Sequence, residues 1–329
     1  MEAKSSVLLI TFNRPSHALS VLDAIRTYKP TRLYVSSDGP RKDVEGEDKN
    51  VKETRELVLK SIDWDCEVKT LFRDNNLGCG PGPATAINWF FSHEEQGIIL
   101  EDDCIPQPEF FEYCNSLLNK YADNQRVWMI SGRSPHARKQ KFFKDSDYIF
   151  STYSETWGWA TWKRCWEKYD ITMSLWPGFY QQGGFRNIQF SKFAGMYFNA
   201  AYNSLYREEG LSSHVWDYQF TFNMNAHGGL GIVPAKNLIE NIGYDGVHFS
   251  GITKAQKLKS EAGFTINKEP KVVVVSRNYD VYSFYSMMYT KVINVLTRIV
   301  RRIKGNVKKR LIMNKELKLS GLKDEGLVV

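Results

Sequence analysis

The chain has 329 residues, 42% hydrophobic and 25% charged, which excludes a disordered or fibrous polypeptide and suffices for one large or two ordinary domains. Its five cysteines are odd in number and include no CxxC pair, which argues against a disulfide framework or a zinc site and for a reducing compartment. The net charge is +7, but residues 277–329 hold twelve Lys and Arg against four acids and the remainder holds 32 against 33, so the body of the chain calls for no nucleic acid or other polyanion.

The N-terminus MEAKSSVLLITFNRP has too short an apolar run for a signal peptide or a membrane span, and a cytoplasmic chain is expected. In chain order, SSVLLITFN (5–13) reads as a buried strand ending in polar residues. RPSHALSVLDAIRTY behind it carries Ala18, Leu19, Leu22 and Ile25 at helical spacing. TRLYVSSDGP (31–40) is a second buried strand broken by Asp-Gly-Pro. A charged helix from Val51 to Ser61, a strand CEVKTLFRD, a Gly/Pro loop, a helix from Ala84 to His93 and a strand GIILEDD (97–103) follow. This alternation predicts an α/β fold with a mostly parallel central sheet flanked by helices.

Beyond Glu109 come a helix rich in Phe, Tyr and Leu, a strand RVWMISG (126–132), and a stretch 133–200 with many aromatics and weak periodicity. Helical spacing returns at 193–206 and in HVWDYQFTFNMNAHGG, GLGIVPAKNLIENIG gives a strand and loop, and KVVVVS (271–276) reads as a last strand. The expected boundaries are one domain at 1–255, with an N-terminal half at about 1–132 and a second half at about 133–255, then a strand and basic helical tail at 256–329.

In an open parallel sheet the ligand crevice lies beyond the carboxyl ends of the strands. Three strands end there in polar groups: Thr11, Asn13 and Arg14 on the first, Ser37 and Asp38 on the second, and Glu101, Asp102 and Asp103 on the fourth. Asp38 sits where a carboxylate can accept hydrogen bonds from a nucleobase or ribose. The loop RDNNLGCGPGPA (73–84) offers glycines, Gly78 among them, for close backbone approach, with Arg73 to meet an anionic group. It is neither GxxxxGK[ST] nor GxGxxG, which counts against kinase-like and dinucleotide readings. Three adjacent carboxylates repel one another, so a strand end that gathers them calls for a cation. The hard oxygens of Asp102 and Asp103 suit Mg²⁺ or Mn²⁺, which completes its shell with substrate phosphates.

Taken together, VLLITFNRP, SSDGP, RDNNLGCGPGPATAIN, ILEDD and WDYQF resemble the GT-A nucleotide-sugar glycosyltransferases, with EDD standing as the DxD-type motif. With TWGWATW, the arrangement is similar to bacterial family-2-like sugar transferases of surface polysaccharide assembly, over about residues 5–250. The resemblance implies a Rossmann-like GT-A fold, Asp38 at the nucleoside, Asp103 as the direct metal ligand, and Glu101 and Asp102 at the donor sugar or ribose. It also implies Asp217 as the base of an inverting transfer, and His248 as a second metal ligand. Here the acids of the motif are contiguous, so spacing leaves open which oxygen meets the metal.

ETWGWATWKRCW carries four tryptophans. Aromatic faces stack on the C–H faces of sugars, which makes Trp157 and Trp159 candidates for an acceptor or donor platform, with Glu155 to bond a sugar hydroxyl; core packing claims at least two of the four. In the tail, Val292, Val295, Leu296, Ile299, Val300 and Ile303 lie at helical spacing among Arg and Lys. This reads as a basic amphipathic helix on an anionic bilayer or as a helix packed on its own domain or a second copy, so a homo-oligomer stays open.

The resulting expectation is a metal-dependent, inverting glycosyltransferase, peripheral on the inner face of the cell membrane. It would pass a sugar from a nucleotide-diphosphate donor to a glycan or lipid-linked saccharide. One rival is a sugar-phosphate nucleotidyltransferase, which should carry a basic Gly-rich loop where this chain has TFNRPSHA. The other is a non-catalytic, membrane-associated nucleotide- or sugar-binding protein.

Overall fold

The computed structural model describes residues 4–207, 215–243 and 258–294. The chain forms two compact units, Met1–Asp280 and Val281–Val329. In the first, β1 (Val7–Thr11), α1 (Pro15–Tyr28), β2 (Arg32–Ser37), α2 (Glu47–Lys60), β3 (Glu67–Phe72), α3 (Pro81–Phe91) and β4 (Gln96–Glu101) alternate as strand and helix. After a turn at Asp102 and Asp103 come β5 (Cys104–Pro106), α4 (Pro108–Lys120), β6 (Val127–Ser131), β7 (Tyr148–Ser151) and β8 (Trp159–Trp162). Then follow α5 (Lys163–Trp166), α6 (Trp176–Gln181), α7 (Lys192–Arg207), α8 (Asp217–Ala226), β9 (Leu230–Pro234) and β10 (Ile239–Asn241).

Eight strands make one sheet in the order β3-β2-β1-β4-β8-β6-β9-β7. The first four run parallel, β8 is antiparallel to both β4 and β6, β9 is parallel to β6, and β7 is antiparallel to β9. The protein is thus a mixed α/β fold with a mostly parallel sheet. Val7, Leu8, Leu9, Ile98, Ile99 and Leu100 are fully buried, which is why these strands read as unbroken aliphatic runs rather than alternating ones. α1 covers them with Ala18, Val21, Leu22 and Ile25.

The run GIILEDD does not stay one strand. β4 ends at Glu101, and β5 pairs antiparallel with β10, Cys104 opposite Asn241. Asp102 and Asp103 therefore sit in a turn held from both sides. α3 starts at Pro81, three residues before the predicted Ala84, because proline is preorganised for the first helical turn. The weakly periodic stretch 133–200 hides β8, four residues long and entered through Gly158 at φ +63°, too short to show a period.

The expected strand KVVVVS does not form. Val275 alone bridges Phe150, while Val272 and Val274 are exposed, with no strand beside them to complete a ladder. The first unit also runs beyond the expected boundary at 255, to Asp280. Phe264 and Tyr279 join its core, and the Asp280 carboxylate accepts hydrogen bonds from the Ser151 and Thr152 hydroxyls at 2.5 and 2.6 Å. Within the second unit, residues 281–294 are helical. Among the described residues no helix is long and apolar enough to cross a membrane. Apart from Val292, the predicted amphipathic positions of the tail lie outside the described residues.

Candidate active site

The carboxyl ends of β1, β2 and β4 share one edge of the sheet because these strands are parallel neighbours. β6 points the same way, since β8 is antiparallel to both it and β4. The cation that the three adjacent carboxylates call for is present in the chain itself. The Arg14 guanidinium forms ion pairs with Asp102 and, at 3.0 Å, with Asp103. Asp102 is 3% exposed, and its second oxygen accepts the Phe12 N–H at 3.3 Å. Burial pushes the Asp102 carboxyl up to about 6, against the pull of Arg14.

Asp103 is fixed by the short sheet. Asn241 donates to its Oδ1 at 3.2 Å, Ile242 N–H donates to its carbonyl at 2.8 Å, and the Asp103 carboxylate presses on Gly243. A Cβ at position 243 would collide with that carboxylate. Gly243→Ala is expected to displace Asp103 and abolish any metal-dependent stabilisation by nucleotide, measured by thermal shift, at a cost of about 1–3 kcal/mol in urea unfolding.

Glu101 is half-buried and its carboxyl is pushed up to about 8, first by burial and then by Asp103, Asp217 and Asp102, with Arg14 opposing. Asp217, at the N-terminus of α8 and far along the chain, thus lies within electrostatic reach of Glu101. Its own carboxyl is raised, by burial foremost and by Glu155, against the pull of the Tyr218 N–H and its own. Exposed Cys79, in the Gly/Pro loop, lies in the field of both Glu101 and Asp217. The strand ends, the glycine loop and the start of α8 are thus coupled electrostatically through Glu101, Cys79 and Asp217.

The other predicted residues are placed as follows. Thr11 is buried and spends its hydroxyl on the Ser36 carbonyl at 3.1 Å. Asn13 donates to buried Glu47, which also takes the Arg41 guanidinium, so this pair ties the loop before α2 to the end of β1. Asp38 accepts the N–H groups of Gly39, Leu77 and Gly78 at 3.0–3.1 Å and so shapes the glycine loop. Gly78 itself holds φ +81°, a conformation that favours glycine. Arg73 donates to the hydroxyls of Ser36 and Thr85, and burial lowers its pKa.

The platform reading is corrected for Trp159, which is 1% exposed and stacks on Trp216 in the core, with no face left for a sugar. Trp162 and Trp166 are buried as well. Trp157 is half-buried, and the Arg133 guanidinium lies 4.0 Å over its ring. Glu155 is ion-paired with Arg133. His248 lies outside the described residues.

Sequence reasoning missed Asn241, Gly243 and Arg133. Arg133 follows β6 at the ligand edge just as Arg14 follows β1, so the same logic would have found it. Asn241 and Gly243 were visible only as an Asn-x-Gly turn after a short strand.

Among the described residues no group of three His, Cys, Asp and Glu side chains is set to hold a metal ion. The donor chemistry nonetheless suits a hard divalent cation. Glu101, Asp102, Asp103 and Asp217 accumulate negative charge that Arg14 only partly offsets, as the upward shift of Glu101 records. The oxygens of Asp102 and of Asp103 all accept hydrogen bonds from the chain, Asp103 being the more exposed at 14% of its side chain against 5%, and a Mg²⁺-like ion takes few protein ligands beside substrate phosphates.

No family model and no curated protein matches the chain. Among solved structures it is similar to HddC from Yersinia pseudotuberculosis, with a TM-score of 0.31 and 8% identity over 50% of this chain and 80% of that one. HddC complexed with GMP-PN gives a TM-score of 0.30 and 9% identity, over 50% of this chain and 80% of that one. UDP-glucose pyrophosphorylase complexed with UDP-glucose gives 0.29 and 9%, over 50% of this chain and 78% of that one. Likenesses this distant carry no functional inference, and what the chain does is read from the convergence of Glu101, Asp103 and Asp217.

Proposed function

We propose that the chain is a divalent-metal-dependent, inverting glycosyltransferase that moves a sugar from a nucleotide diphosphate to a hydroxyl of a glycan or lipid-linked saccharide. What supports this reading is that Asp217, at the N-terminus of α8, acts electrostatically on Glu101 of the EDD turn. An acceptor hydroxyl attacking the anomeric carbon must lose its proton as the new C–O bond forms and the bond to the diphosphate breaks, and a carboxylate with a raised pKa is suited to take it. Asp103, with His248 as the further candidate, would hold the metal. When bound, that ion neutralises charge developing on the departing diphosphate. Asp38 and the glycine loop receive the nucleoside, Glu101 and Asp102 the sugar or ribose, and Glu155 with Trp157 the acceptor. The protein works at the inner face of the cell membrane, with its basic tail on anionic lipid.

A sugar-phosphate nucleotidyltransferase attacks phosphorus with an oxygen that is already ionised and has no use for Asp217. The two reactions differ in products: nucleoside diphosphate and a glycoside for the first, pyrophosphate and a nucleotide sugar for the second. The first experiment is a thermal-shift screen against UDP, GDP, dTDP and CDP, each with Mn²⁺ or EDTA, repeated on Asp103→Ala. One nucleotide should stabilise by about 2–3 kcal/mol at a hundredfold excess over its Kd, and only with both the metal and Asp103. No metal-dependent shift with any of the four would remove the diphosphate site and the transferase reading with it.

A further inference from the structure

Acids occur in this chain at about one residue in nine, yet none lies between Ile171 and Arg207, where about four would be expected. The same stretch holds Arg186, Lys192 and Arg207. A comparable acid-free run is Val281–Lys315, which the sequence already links to a bilayer. The 171–207 run is folded: it comprises α6, α7 and the turns between them, joined from within by Met173, Trp176, Phe185 and Tyr202 with Phe222 of α8.

Its exposed side includes large apolar groups among polar ones. Phe193 is 56% and Met196 60% exposed, one turn apart on the same side of α7, with Ala200 continuing that side. Leu175, Tyr180, Ile188 and Tyr206 are exposed as well. Large apolar groups set among cations, with Asp170, Glu208 and Glu209 bounding the run, match the boundary between lipid headgroups and acyl chains. A second copy docking through this face would set the same three cations against each other, since a two-fold interface is self-facing.

We propose that the exposed face of α7 docks on an anionic lipid bilayer, with Phe193 and Met196 entering the headgroup boundary and Arg186, Lys192 and Arg207 meeting lipid phosphates. The proposed site uses none of the residues of the basic tail. Tyr202 of α7 meets the ring of Tyr218, next to Asp217, at 6.5 Å between centroids. Tyr202 lies on the buried side of α7, so docking would leave the candidate base behind that helix, about a helix diameter of 10–12 Å from the lipid surface on which a lipid-linked acceptor would lie; this last step alone rests on the transferase reading.

The test is sedimentation of the full chain with phosphatidylcholine vesicles, with and without phosphatidylglycerol, without any sugar donor. The wild type should bind the anionic vesicles in a salt-sensitive way. Phe193→Ser/Met196→Ser should weaken that binding by about tenfold or more, measured on protein that remains folded by its melting curve. Lys192→Glu/Arg207→Glu should weaken it as well, whereas Arg301→Glu/Arg302→Glu in the tail should leave the loss caused by the α7 changes intact. Equal binding by wild type and both α7 variants, absence of binding to anionic vesicles, or a wild-type dimer that the α7 variants convert to monomer would each overturn the proposal. None of these readouts needs turnover, so they stand apart from the fate of the transferase reading.

Discussion

Asp217→Asn is expected to lower the rate of nucleoside diphosphate release by roughly 10²–10⁴ while leaving the metal-dependent thermal shift with nucleotide intact. Asparagine keeps the size and the hydrogen-bonding oxygen of the side chain but cannot take a proton. The N-terminal position on α8 is retained, because the cap of that helix is Trp216 without a side-chain bond. The pH profile provides the control. The Asp217 carboxyl is raised, chiefly by burial, and only its ionised form accepts a proton. The wild-type rate should therefore fall as pH drops through a value above the usual carboxylate range, and the residual rate of the variant should lose that limb. Loss of the nucleotide shift in Asp217→Asn would mean that the residue holds the site together. Full activity would leave the nucleotidyltransferase, which needs no such base. Retained ligand binding with no turnover in the wild type would favour the binding-protein reading.

The first third of the chain, up to Glu101, was legible because its elements are long and obey one rule: aliphatic strands buried on both faces, helices with a 3.6-residue stripe. Convergence of Arg14 with Asp102 and Asp103 followed from that rule alone, since parallel strands must end at one edge. What the sequence did not reveal has two physical causes. Elements such as β8 and β10, four and three residues long, are shorter than the window in which a period can be seen. Tryptophan serves core and ligand equally well by composition, so Trp159 and Trp157 look alike until burial separates them. Arg14 illustrates a third limit. It was placed at the ligand edge, whereas its nearest duty is to the carboxylates of its own chain.

That duty yields the other large expected effect. Arg14→Ala removes the guanidinium from Asp102, which is nearly fully buried, and leaves a carboxylate there without its counter-charge. Breaking a buried pair in this way costs about 3–5 kcal/mol; the Arg14 side chain is 29% exposed, so about 2–4 kcal/mol is expected near pH 8. The sign of the pH dependence identifies the cause. The Asp102 and Glu101 carboxyls stand at about 6 and about 8 in the folded protein, both above their unfolded values. The folded state thus binds these protons more tightly than the unfolded chain, and their contribution to stability grows as pH falls through about 8 and then about 6. Metal-free wild type in EDTA should accordingly become harder to unfold in urea between about pH 8 and pH 5. In Arg14→Ala, Asp102 loses the charge that pulled it down, its carboxyl rises further, and protonation restores more. The deficit against wild type should therefore shrink on acidification and be smallest near pH 4, with Arg14→Lys intermediate. A deficit equal at both ends of that range would show that Arg14 stabilises the turn by packing rather than by charge, and that Asp102 and Asp103 tolerate one another without it.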